Sequence, residues 1–194
     1  KTIGGVLYIA NSWYMVHLDG LESLRKVGGL YLNRNKVFTD FSALANLDTI
    51  VGDLTIESND KLLEIVGLNA MKYIGGETSI RFNNSLNTIG DFPALEEVND
   101  ISIGANPSLE NLMGLNALRI INGYLSINNN DALLTLNGLN QLDTVREVVS
   151  IGHNDLLENL NGLNALKYIG RSLSIDYNNT LNDVSALENV NHIS

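Results

Sequence analysis

Along most of this chain the apolar residues follow two spacings in alternation. In "LSINNNDALLTLNGLNQLDTV", residues 125–145, Leu125 and Ile127 alternate with polar neighbours; Leu133, Leu136, Leu139, Leu142 and Val145 then recur at every third place. The alternating part predicts a short strand with its apolar side chains inward. The period-three part suits no ordinary element. An α-helix turns about 100° per residue, so five positions three apart would sweep roughly 240° and leave no single buried face. A 3₁₀-helix has the period but rarely runs beyond about four residues.

A longer period resolves the conflict. An asparagine follows each L-x-I segment, at Asn11, Asn35, Asn59, Asn83, Asn106, Asn130, Asn154 and Asn178, at intervals of 24 residues with one of 23. Each copy reads approximately L-x-I-x-x-N-x-x-L-x-x-L-x-G-L-x-x-L-x-x-I-x-G-x. Repetition at so constant an interval predicts a stack of one-turn units, each burying its apolar edge against its neighbours. The period-three arc then bends around an axis, and the repeated glycines, such as Gly67, Gly114, Gly138 and Gly162, fall at its corners. The fold class expected is mainly β: a parallel β-solenoid of about eight 24-residue turns, forming one domain over residues 1–194.

The eight asparagines are expected to point inward and bond to turn backbone and to one another as a ladder, at one strand spacing of about 4.8 Å. Asn83 in "NNS" and Asn178 in "NNT" open glycosylation triplets, but an inward position argues against occupancy. If Leu and Ile of L-x-I point in, three rows point out. The first is Tyr8, Tyr31, Thr55, Ser79, Ser102, Ser126, Ser150 and Ser174, whose six hydroxyl residues in line could make a binding strip but read most simply as small residues suiting a flat parallel sheet. The second is Ala10, Asn33, Glu57, Arg81, Gly104, Asn128, Gly152 and Asp176. The third begins at Ser12 or its neighbour and continues Arg34, Ser58, Phe82, Ala105, Asn129, His153 and Tyr177. The frame repeats while these rows vary. Candidate ligand-binding residues are therefore Tyr8, Tyr31, Arg34, Glu57, Arg81, Phe82, His153, Asp176 and Tyr177, because exposed aromatics and arginines are favoured anchors. Glu57 and Arg81 sit one turn apart in one row and read equally as a surface ion pair. Trp13, in "NSWYMVHLDG", belongs to a stretch with one residue more than its counterparts; the reading preferred is packing against a missing preceding turn or module, the other an aromatic contact loop.

Composition narrows the partners. A net charge of −10 and a pI near 4.6 oppose nucleic-acid and anionic-membrane binding. No apolar run approaches the ~18 residues of a membrane span, so no direct membrane insertion is expected in this segment. The absence of cysteine removes disulfides, thiol chemistry and cysteine–zinc sites. His17, His153 and His192 lie at different repeat phases, no calcium-loop or phosphate-cradling spacing occurs, and no catalytic group, metal or cofactor is expected. The chain opens on "KTIGG", matching the end of a unit, and closes on "NVNHIS" at an inward position. Neither end reads as a shielding cap, so the chain is read as a segment of a longer protein.

The unit carried by "LNALRIINGYLSINNNDALLTLNGL" and "LNALKYIGRSLSIDYNNTLNDVSAL" resembles the receptor L-domain family, the leucine-rich solenoids of insulin and epidermal growth factor receptor ectodomains, over nearly the whole chain. That resemblance implies a right-handed coil with parallel sheets on its sides and an extracellular or cell-surface setting, as in cysteine-free microbial secreted and surface proteins. The receptors' cysteine-rich flanks are missing, so hormone binding is not carried over. The leading expectation is a non-enzymatic recognition or adhesion module that binds a protein or glycan. The alternative is a structural spacer or self-assembling stalk.

Overall fold

The structure is a computed structural model that describes residues 1–90 and 92–194. Its first strands are β1 (Thr2–Ala10), β2 (Lys26–Asn33), β3 (Thr49–Ile50), β4 (Leu54–Glu57), β5 (Tyr73–Ile74), β6 (Glu77–Arg81), β7 (Glu97–Val98) and β8 (Asp100–Gly104). They continue as β9 (Ile120–Ile121), β10 (Leu125–Asn128), β11 (Thr144–Val145), β12 (Val148–Gly152), β13 (Tyr168–Ile169), β14 (Ser172–Asp176) and β15 (His192–Ile193). All pairs are parallel. The L-x-I strands β1, β2, β4, β6, β8, β10, β12 and β14 stack in sequence order into one long sheet. The two-residue strands form a second side, round one corner of the coil. There β3 and β5 stack on the start of β2, while β7, β9, β11, β13 and β15 form a separate five-stranded sheet. The chain is thus a parallel β-solenoid of about eight turns, roughly 24 residues apart. Among the described residues no helix is long and apolar enough to cross a membrane.

The period-three arcs behave as their spacing predicts. Leu133, Leu136, Leu139, Leu142 and Val145 are all fully buried, in one continuous core running the length of the coil. Backbone hydrogen bonds also join neighbouring arcs, as where Leu134 N–H donates to the Glu110 carbonyl (3.1 Å) and Leu136 N–H to that of Asn161 (2.9 Å). At the arc corner Gly114 has φ +116°, and a Cβ there would stand on the Gly90 carbonyl of the turn below. Glycine is required at this corner by conformation and by contact alike.

The asparagines form the ladder. Asn35, Asn59, Asn83, Asn106, Asn130 and Asn154 are fully buried and stacked. The Oδ1 of Asn106 accepts the Asn83 backbone N–H (3.0 Å), and its Nδ2 donates to the Ile80 carbonyl (2.9 Å), one turn back. Its own N–H passes on to Asn130 Oδ1 (3.2 Å). The burial of Asn83 closes its N-x-S triplet to glycosylation in the folded chain.

The first rung needs a correction. Ala10 pairs with Asn33, which places Ser12, not Asn11, opposite Asn35, and Ser12 N–H donates to Asn35 Oδ1 (3.2 Å). The cause lies upstream, where the register slips between Ile3 and Val6. The corner Val27–Gly28–Gly29–Leu30 is one residue shorter than Ile3–Gly4–Gly5–Val6–Leu7, so the unit from Ser12 to Asn35 has 23 residues. With Ser12 as the rung, the surplus residue near Trp13 disappears, and Met15 and Leu18 take the inward places.

Replacing Asn106 with leucine keeps the volume but strands the Asn83 N–H and the Ile80 carbonyl in the core. The variant should lose about 2–5 kcal/mol of unfolding free energy in chemical denaturation. A loss no greater than that of an exposed Asn129→Ala would show that the ladder contributes little.

Candidate functional site

The residue before each rung is held in the left-handed region at every turn: Asn11, Arg34, Ser58, Phe82, Ala105, Asn129, His153 and Tyr177 have φ between 50° and 60°. The geometry is forced from both sides. The following residue must turn its amide into the core, while this residue's own N–H must still reach the next strand, as Arg34 N–H reaches the Glu57 carbonyl (3.0 Å) and His153 N–H that of Asp176 (3.1 Å). The side chain is thereby thrown outward. A left-handed backbone costs an ordinary L-residue about 1–2 kcal/mol, and asparagine tolerates it best. Only Asn11 and Asn129 use that tolerant residue. At Arg34, Phe82, His153 and Tyr177 the chain carries large side chains that local conformation disfavours. Phe82 and Tyr177 are 51% and 69% exposed.

The three outward rows are aligned by the strand register, from Tyr8 opposite Tyr31 to Ser150 opposite Ser174, and from Glu57 opposite Arg81 to Gly152 opposite Asp176. The candidate residues share one face but gather at two places. Tyr8, Tyr31, Arg34, Glu57, Arg81 and Phe82 lie toward the first turns; His153, Asp176 and Tyr177 lie toward the last. Between Phe82 and His153 the row holds only Ala105 and Asn129, so the groups stand three rungs apart, about 14 Å. The hydroxyl row is not an open strip, since Ser79 and Ser102 are buried.

In the first group Tyr8 and Tyr31 pack ring on ring at 6.0 Å. The Tyr31 hydroxyl donates to Asp53 Oδ2 (2.7 Å); that bond, with some burial, raises the phenol pKa. Tyr31 therefore offers its ring rather than its hydroxyl. Glu57 and Arg81 are register partners, yet they make no ion pair. The Arg81 guanidinium reaches along the sheet past Gly104 and lies 5.8 Å from the Phe82 ring centroid, with its buried Nε lacking an acceptor. Trp13 lies over the following turn, with Lys36 Nζ 4.5 Å from its ring centroid, and remains 63% exposed. Asn11, Trp13, Arg34, Lys36, Ser58 and Asp60 line a shallow hollow of about 310 Å³. Lys36 escaped the sequence reading because it lies one place beyond the rung, outside the three rows. Its signal was the register shift that moves Ser12 onto the ladder and Trp13 opposite Lys36.

In the second group His153 and Tyr177 stack at 4.5 Å with planes 12° apart, and Ser174 Oγ lies 3.2 Å from Asp176 Oδ2. Neither Ser150 nor Ser174 bonds to His153, so no nucleophile–base pair is assembled. His17 sits beside Asp40 (3.4 Å) and His192 stacks on Tyr168. Among the described residues no group of three or more His, Asp and Glu is placed to hold a metal ion. No protein-family model, curated protein or solved structure matches the chain.

A row of carboxylates, Asp53, Glu77 and Asp100, borders the Tyr row. Asp53 and Asp100 accept the next turn's backbone N–H groups, from Glu77 (3.0 Å) and Tyr124 (2.9 Å), and so serve the frame. Burial, then the facing Glu77 carboxylate, push the Tyr124 phenol well above its usual range. A raised folded-state pKa contributes stability that is fully present below the unfolded value of about 10 and is lost as pH rises through the folded one. Between pH 9 and 11 the native chain should lose more stability than Tyr124→Phe; equal losses would show that this phenol does not matter. Phe82→Asn should gain about 0.5–1 kcal/mol in thermal or chemical unfolding. A destabilised Phe82→Asn would mean that the phenylalanine serves the frame.

Proposed function

We propose that this chain is a non-enzymatic recognition or adhesion module of the cell surface or extracellular medium, binding a protein or glycan across the outer face of the long sheet. The observation that carries this reading is the left-handed column. Large, exposed side chains occupy positions where asparagine or glycine would serve the fold better, and such conflicts between local preference and sequence are expected at functional sites. The aromatic and cationic groups near the first turns, Trp13 with Lys36, Arg34, and Phe82 with Arg81, supply the anchor types that dominate interfaces. Solenoids commonly recognise partners along one extended face. The resemblance of the repeat to receptor L-domains accords with the same reading and with an extracellular setting.

The test compares the native chain with Trp13→Ala/Phe82→Ala on a glycan array and on immobilised cell-surface protein fractions. Binding to at least one probe should fall about tenfold or more in the double variant, with the far-ultraviolet circular dichroism unchanged. Equal binding by both proteins would remove the outer face from the reading. Concentration-dependent self-association with no probe bound would favour the spacer or stalk.

A further inference from the structure

Among the described residues, the second side of the coil is interrupted between β5 and β7. Elsewhere each two-residue strand bonds to the one before it: Lys72 and Tyr73 N–H donate to the Asp48 carbonyl (3.0 and 3.3 Å), Arg119 and Ile120 to Glu96 (2.8 and 3.2 Å), Lys167 and Tyr168 to Asp143 (2.9 and 3.2 Å). Between β5 and β7 no backbone hydrogen bond forms, and the two strands belong to different sheets. Only the Asn99 side-chain Nδ2 crosses, to the Gly75 carbonyl. The N–H groups of Glu96, Glu97 and Asn99 and the carbonyls of Lys72 and Ile74 therefore lack the partners that their counterparts have. The corner Val98–Asn99–Asp100–Ile101 is one residue shorter than Ile74–Gly75–Gly76–Glu77–Thr78, so the unit from Asn83 to Asn106 has 23 residues; β7 nevertheless pairs with β9 across an equal difference in corner length, so corner length alone does not account for the gap.

The interruption opens a groove of about 730 Å³, more than twice the hollow beside Trp13, whose lining includes Tyr73, Pro93, Glu97, Asn99 and Asn122. We propose that this groove is a second ligand site and that its ligand is a neutral oligosaccharide. A sugar hydroxyl both donates and accepts, which matches unpaired N–H and C=O groups lying side by side with carboxylate and amide side chains. The Tyr73 ring, 53% exposed, offers a flat apolar face to the carbon–hydrogen surface of a pyranose. Lys72 stands against Glu96 and Glu97, which leaves no positive surplus to attract an anion. An inserted peptide strand is disfavoured, because it needs two strand spacings, about 9–10 Å. The long sheet beside the groove keeps these turns at one spacing, with Glu77 paired to Asp100. The site shares no residue with the outer face, so either reading can fail alone.

The test is an amide-resolved NMR titration of the whole chain with cellotetraose, mannotetraose and N-acetylchitotetraose to millimolar concentration. At least one should shift the amides of Glu97, Asn99 and Asn122, and Tyr73→Ala should weaken it about tenfold. Silence at these amides with all three sugars, undiminished binding by Tyr73→Ala, or shifts produced only by an anionic sugar such as tetragalacturonate would overturn the proposal.

Discussion

The structure depends on a two-way bond made by one side chain. Each ladder asparagine accepts an N–H from the rung before it and donates to an inner-strand carbonyl of that preceding turn, as Asn83 does with Asn59 N–H (3.0 Å) and Ile56 C=O (2.9 Å). A turn cannot satisfy its own polar groups. It is completed by its neighbours, and its apolar arc is likewise covered only by the arcs above and below. Stability is therefore collective, and the depth of every residue in the coil follows from where the amide column stands.

The left-handed residue is a consequence of that column. To send an amide inward immediately after an outward strand residue, the chain must reverse its course within one residue and still continue the sheet's hydrogen bonding. Arg34, Phe82, His153 and Tyr177 occupy that reversal and make no demand on the core. The frame fixes where these side chains stand and leaves their chemistry free.

Much of this was legible in the sequence because a stack of identical turns converts letter spacing directly into position. The period of three marked the buried arcs, and the alternating L-x-I segments marked the sheet with its outward rows. The misplaced first rung has a plain physical origin: a corner shortened by a single residue is nearly invisible in a string, yet it moved the rung from Asn11 to Ser12. The absent Glu57–Arg81 pair has another cause: a register neighbour fixes where a backbone lies, whereas Arg81 is long enough to settle over Phe82 instead. The neighbour of Trp13 across the turns, Lys36, likewise becomes visible only once the rung is placed at Ser12.

The unpaired rung also bears on how the coil would respond to mechanical load. Along its axis the rod is joined turn to turn by the long sheet, the amide column, the arcs and the second side, and among the described residues the second side carries no backbone hydrogen bond between β5 and β7. Tension applied to the two ends would meet fewer cross-links at that junction than at those where the second side is continuous, as a stack of glued plates is weaker at a thinner joint.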